Sequence, residues 1–199
     1  MRRFLLVLVL IVGAAFSAGA QKNDWQYWET PMQFTPIVFD LGAEYLGIQP
    51  SRGIVDRCVA LAAGYGSMFL IVQGLKYVVS EQRPDGSNYR SFPSGHTAAA
   101  ITGAELIRQD YGWGWGAAFY VCGGAVAYGR VIHKRHWWWD TVAGAVVGVF
   151  SAGIGDWVAD SLDLSGRLGW GGLDDGNVAF APAVDPFSGT YCATVVWRF

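Results

Sequence analysis

The stretch Cys58-Val59-Ala60-Leu61-Ala62-Ala63-Gly64-Tyr65-Gly66-Ser67-Met68-Phe69-Leu70-Ile71-Val72-Gln73-Gly74-Leu75 runs for 18 residues without a charge and stops at Lys76. It is too long for a strand and shows no alternation, so it reads as a helix. Three further apolar segments rich in glycine and alanine follow at His96–Ile107, Gly116–Ala127 and Thr141–Ile154. Turn-forming residues separate them: Arg83-Pro84-Asp85-Gly86-Ser87-Asn88, then Tyr111-Gly112-Trp113-Gly114, then the polar cluster at His133-Lys134-Arg135. Short connections make neighbouring helices antiparallel. The expected fold is all-α, an antiparallel helical bundle over residues 54–160. Lys76 closes the first helix, Ser94 opens the second, Arg130 closes the third and His136 stands at the start of the fourth. An up-down bundle puts all four at one end.

The rest of the chain frames this bundle. Met1-Arg2-Arg3, an apolar run from Phe4 to Phe16, and the small residues Ala18-Gly19-Ala20 have the form of a secretory signal peptide over 1–20. Export and a periplasm-facing location in the cell envelope are the expectation. Residues 21–53 are aromatic-rich, with a short helix expected near Ile37–Leu46. Residues 161–199 are rich in glycine and aspartate and end on an alternating stretch from Thr190 to Phe199. A β-hairpin-like tail with Asn177–Pro182 as partner strand is expected there. Charged residues make up 15% of the chain, against about 25% in an ordinary soluble protein, which points to extensive burial or lipid contact. The first segment is just long enough to span a bilayer, whereas the third and fourth, at about 14 residues, suit a buried bundle. A net charge of −2 provides no basic face for nucleic acid. Of the three cysteines, Cys58 and Cys122 read as small core residues, and no disulfide framework is expected.

The polar residues gathered at the common end are Lys76, Arg83, Ser94, His96, Arg130, His136 and Asp140. Three cations repel one another unless an anion sits among them, and guanidinium groups match phosphate oxygens two at a time. Ser94-Gly95 after Pro93 adds the N–H groups of a helix start, where glycine permits close approach. His136 and Asp140 are four apart, so on a helix the carboxylate accepts from the imidazole and leaves its other nitrogen nucleophilic. His96, from another helix, can protonate a departing oxygen. Taken singly, each residue has a plainer reading: Lys76 as a snorkelling helix end, Arg83 and Arg130 as surface charges, His136–Asp140 as a structural pair. With three histidines in the chain, a zinc site lacks ligands, and neither metal nor cofactor is expected.

Three strings in this set resemble the signatures of the type 2 phosphatidic acid phosphatase (PAP2) family, within the vanadium haloperoxidase-like superfamily. Lys76-Tyr77-Val78-Val79-Ser80-Glu81-Gln82-Arg83-Pro84 is similar to the first, Pro93-Ser94-Gly95-His96 to the second, and Arg130 with His136 and Asp140 to the third. The resemblance implies a metal-independent phosphatase in which His136 forms a phosphohistidine, Asp140 orients it and His96 protonates the leaving group. It implies that Lys76, Arg83, Ser94, Gly95 and Arg130 hold the phosphate. Candidate substrates are phosphatidic acid, phosphatidylglycerol phosphate, undecaprenyl pyrophosphate and lipid A phosphates, with membrane association. Gly129 departs from the family, which usually has serine there. The alternatives are a periplasmic acid phosphatase acting on soluble esters, a vanadate-dependent haloperoxidase, and a non-catalytic envelope protein that binds anionic lipid. The sequence sets no oligomeric state.

Overall fold

The computed structural model describes residues 28–167, 179–184 and 191–196. The expected signal peptide at 1–20 lies outside the described residues, as does much of the tail. Four long helices make the bundle: α3 (Ile54–Val78), α4 (Gly95–Tyr111), α5 (Trp113–Ile132) and α6 (Trp138–Leu162). Two shorter helices precede them, α1 (Glu29–Met32) and α2 (Thr35–Gly42), the latter running into a 3-10 turn at Ala43–Leu46. A last turn, α7 (Leu164–Arg167), follows α6. In the tail, β1 (Ala179–Val184) and β2 (Tyr191–Val196) run antiparallel with Ala179 opposite Val196. The all-α bundle is thus the observed fold.

The helix α4 is central, packed between α5 and α6, while α3 packs chiefly on α6. Its run of alanines is buried almost throughout, with Ala98, Ala104, Leu106 and Ile107 in the core. Close packing on α6 depends on missing side chains. A Cβ at Gly144 would stand 2.5 Å from the backbone oxygen of Ser94, and one at Gly155 would stand 2.4 Å from that of Ala60. Neither backbone can yield without moving a helix. Gly144 therefore sets how near the start of α4 comes to the start of α6, where the candidate site lies.

Burial on α6 follows side-chain size, whereas α3 carries large apolar side chains on both its faces. Along α6 the inward stripe is Gly144, Gly148, Ser151, Ala152, Gly155 and Ala159, whereas Val142, Val146, Phe150 and Trp157 are exposed. On α3, Ile54, Phe69, Leu70, Tyr77 and Val78 face outward while Ala60, Gly64, Met68 and Val72 face in. Cys58 belongs to that outward face: it is exposed, and Cys122 is half-buried, so neither is the core residue expected. Both α3 and the run Trp138–Arg167 are long and apolar enough to cross a membrane, with 28% and 33% of their apolar windows buried. For the fourth helix this departs from the expected 14 residues. It continues past Ile154 because Asp156 and Asp160 find a cation, Arg52, at the bundle's far end.

That far end is held by buried charge. The Arg57 guanidinium is fully buried, with Nη1 3.3 Å from Asp40 Oδ1 and 2.7 Å from the Tyr111 hydroxyl, and Nη2 on Glu44. It also donates to the Asp40 carbonyl. Arg52 bridges Asp110 and Asp156, each at 2.7 Å. Glu105 and Arg108 form the local pair their spacing suggests, 2.6 Å apart.

Candidate active site

At the other end the chain brings together all eight residues singled out from the sequence. The start of α6 supplies the pair His136 and Asp140, which are 2% and 0% exposed. Here the helical i, i+4 reading needs correction. His136 precedes the helix, because Trp137 is an extended N-cap residue (φ −72°, ψ 159°). Asp140, in the first turn, reaches back: its Oδ2 accepts from the Trp137 backbone N–H at 2.9 Å and lies 3.3 Å from His136 Nδ1. One carboxylate thus caps the helix and orients the imidazole, leaving His136 Nε2 free of that contact.

Ser91 is a member of the site that the sequence reading missed. It is fully buried, its hydroxyl donates to Asp140 Oδ2, and its carbonyl accepts from Lys76 Nζ at 3.1 Å. Lys76 also donates to the Arg90 carbonyl at 2.9 Å, so the ammonium ties the end of α3 to the loop before α4. Ser94 is the N-cap of α4. Its Oγ accepts from Thr97 Oγ1 at 3.0 Å and from the Thr97 backbone N–H, while its own N–H donates to the Asp140 carbonyl at 2.9 Å. The Ser94 backbone thus holds α4 to α6 while its hydroxyl oxygen caps α4. A Cβ at Gly95 would meet Val72 at an ordinary 3.5 Å, so protein packing does not demand the glycine.

Two guanidinium groups complete the cluster. Arg83 and Arg130 each have a buried Nε without a hydrogen-bond partner among the described residues. Burial, then the nearby Arg130, lower the pKa of Arg83. Arg130 is buried and paired at one end with Glu29, and Arg83 is half-buried; each keeps one Nε–H without a partner, which an anion between them would satisfy. The same field acts on the histidines. Burial, then Arg130, His136, Arg83 and Lys76, push His96 down to about 4. Burial lowers His136 too, against the opposing pull of Asp140, so its imidazole is neutral at neutral pH.

The three tryptophans after His136 divide their work. Trp137 Nε1 donates to the Gln82 carbonyl and Trp139 Nε1 to Glu81, at 2.9 and 2.8 Å, and their rings stack 5.1 Å apart. They hold the loop carrying Arg83 over the site, while Trp138 is 64% exposed. The loop before His136 is tied down as well, through Arg135 to Asp85 at 3.2 Å.

Two residues from the N-terminal segment also reach this end. Glu29 contacts Arg130 and His133, and Thr30 Oγ1 lies 3.5 Å from His96 Nε2. Nothing in the sequence around them signals that placement.

The family model described as PAP2 superfamily matches residues 57–159, just over half of the chain. The chain belongs to the PAP2 superfamily. Among its PAP2 relatives, a lipid A 1-phosphatase of Porphyromonas gingivalis is 34% identical over 137 residues, which are 65% of this chain and 30% of that protein. The chain therefore spans less than a third of that relative's length. The crystal structure of Aquifex aeolicus LpxE superposes with a TM-score of 0.53, covering 76% of this chain and 93% of its own, at 20% identity. It shares the fold.

Proposed function

We propose that the chain is a phosphatase that removes phosphate from a phosphate monoester or pyrophosphate of a lipid, through a phosphohistidine on His136 and without a metal. The observation that carries this reading is His136 oriented by Asp140 beside Arg83 and Arg130, each with a buried Nε that has no partner among the described residues. In the first step His136 Nε2 attacks phosphorus, the P–N bond forms, the P–O bond breaks, and the departing oxygen takes the proton of His96. In the second, water attacks phosphorus, its proton passes to His96, the P–N bond breaks and inorganic phosphate leaves. Asp140 stabilises the charge that develops on the His136 ring. Lys76, Arg83, Arg130 and the free N–H groups at the start of α4 hold the phosphate oxygens.

A lipid substrate is supported by the outward faces of α3 and α6, which expose large apolar side chains, with small residues turned inward on α6. We read the protein as exported and membrane-associated, with its site facing the periplasm. The relative's name makes a lipid A phosphate the first substrate to try. The test is phosphate release by the full chain in detergent with a chelator present, from lipid A, phosphatidic acid, undecaprenyl pyrophosphate and an aryl phosphate. Release that survives the chelator and is fastest on a lipid is the expected result. A folded protein that hydrolyses none of them defeats the reading.

The two histidines set the pH dependence. His96 must carry a proton for the first step, and burial, reinforced by the surrounding cations, holds its pKa at about 4. A bound phosphate anion among those cations opposes them and raises it. The alkaline limb of kcat, which reports the complex, is therefore expected at higher pH than the alkaline limb of kcat/KM, which reports the free enzyme. The acid limb reflects protonation of His136 below its ordinary 6.5. In His96→Ala the alkaline limb disappears along with most activity. Coincident alkaline limbs in the wild type would remove His96 from the proton transfer.

A further inference from the structure

Glu29 is fully buried, and both of its carboxylate oxygens are taken. Oε2 accepts from Arg130 Nη1 at 3.0 Å and Oε1 lies 2.8 Å from His133 Nδ1. It comes from the four-residue helix α1, 101 positions before Arg130. The neighbouring Thr30 hydroxyl near His96 places α1 beside the candidate site.

The room Glu29 occupies is made by a glycine. A Cβ on Gly129 would lie 2.1 Å from Glu29 Oε1 and 2.9 Å from its Cδ. No side chain at 129 coexists with the carboxylate where it stands. The two nearest atoms are the far end of a flexible side chain, with the Trp28 ring next at 3.0 Å, so it is the carboxylate that must move first.

The chemistry of the guanidinium decides what the contact does. With Nη1 held by Glu29, the remaining side edge is Nε with Nη2, and Nε is buried with no partner among the described residues. That edge carries two parallel N–H groups, which fit two oxygens of one phosphate. We propose that Glu29 is a positioning residue: it clamps Arg130 by one end so that the other edge is presented to the phosphate, and Gly129 is the residue that admits the clamp. Glu29 stands to Arg130 as Asp140 stands to His136. Its negative charge is a cost to phosphate binding in the ground state, so the benefit of the clamp lies in the transition state, where alignment counts most.

This inference rests on the phosphatase reading, and a double-mutant cycle separates the two. Glu29→Ala, Gly129→Ala and the double variant of the full chain are compared with wild type in kcat and KM, with thermal melting to establish that each is folded. Binding of orthovanadate, which takes the trigonal-bipyramidal shape of the transferring phosphoryl group, and of inorganic phosphate is measured by calorimetry. Each single variant is expected to lower kcat by roughly ten- to a hundredfold with KM unchanged or lower. The double variant is expected to lose no more than either single one, because both remove the same contact. Vanadate affinity should fall with kcat while phosphate affinity does not. Glu29→Gln, which keeps the shape and one acceptor, should recover part of the loss and carries the test if Glu29→Ala does not fold. Unchanged kcat in Glu29→Ala, a gain in kcat/KM, or losses that multiply across the cycle would each overturn the clamp. A wild type that binds vanadate with this coupling but hydrolyses nothing removes the phosphatase reading and leaves the clamp. A wild type that hydrolyses while the two positions act independently does the reverse, and one that binds neither anion sinks both.

Discussion

Replacing His136 with alanine is expected to lower phosphate release by at least ~10⁴-fold, the scale on which removal of a nucleophile acts. The other histidines do not replace it: His96 is turned toward Thr30, and His133 is engaged by Glu29. The variant should keep its fold, because Asp140 still caps α6 through Trp137 and still accepts from Ser91. It should also keep inorganic phosphate binding, since Lys76, Arg83 and Arg130 are untouched. Turnover lost with binding retained separates an enzyme from an anion-binding protein of the same architecture. Asp140→Asn should be milder in chemistry but harsher in stability, because that carboxylate serves both helix and histidine.

The second large effect lies at the opposite end of the bundle. Arg57→Ala removes a guanidinium that neutralises Asp40 and Glu44 and satisfies Tyr111, leaving Asp40 1% exposed without its cation. Breaking such a buried pair costs about 3–5 kcal/mol. For a chain of this size that is a fall in Tm on the order of 10 °C. The proposed reaction happens elsewhere, so the folded fraction should retain the wild-type kcat. Arg57→Met combined with Asp40→Asn should recover much of the loss, since burying two neutral groups avoids the unpaired charge. A melting temperature unchanged in Arg57→Ala would mean that the far-end network carries little of the bundle's stability.

The two ends of the bundle differ in how visible they are in the sequence. Lys76, Arg83, Ser94, His96, Arg130, His136 and Asp140 stand at the ends of apolar segments, and up-down topology alone gathers them. The local geometry was less visible. Helical spacing suggests the His136–Asp140 pair, yet the pair forms across an N-cap, because the extended Trp137 keeps the helix from reaching back to His136. Periodicity says nothing of caps. Nor does it tell the inside of α3 and α6 from the outside, since both faces of each are apolar. That is why Cys58 was placed in the core and the length of α6 was underestimated.

Glu29 was illegible for a different reason. A lone carboxylate in an aromatic-rich segment has no pattern, and its partners are about a hundred residues away. The one trace it leaves is negative: the glycine at 129, which departs from the signature that Arg130, His136 and Asp140 otherwise resemble. The structure gives it a steric meaning, as space filled by the Glu29 carboxylate.

The central claim is a covalent phosphohistidine on His136. Its direct test is to mix the folded wild-type protein with a substrate labelled in the transferred phosphate, quench in alkaline detergent during turnover, and map the label by peptide. The account predicts label on the peptide carrying His136, stable to base, lost in acid, and absent from the His136→Ala variant. Continued turnover with no label at His136 when the second step is slowed, or label on another side chain, would contradict it.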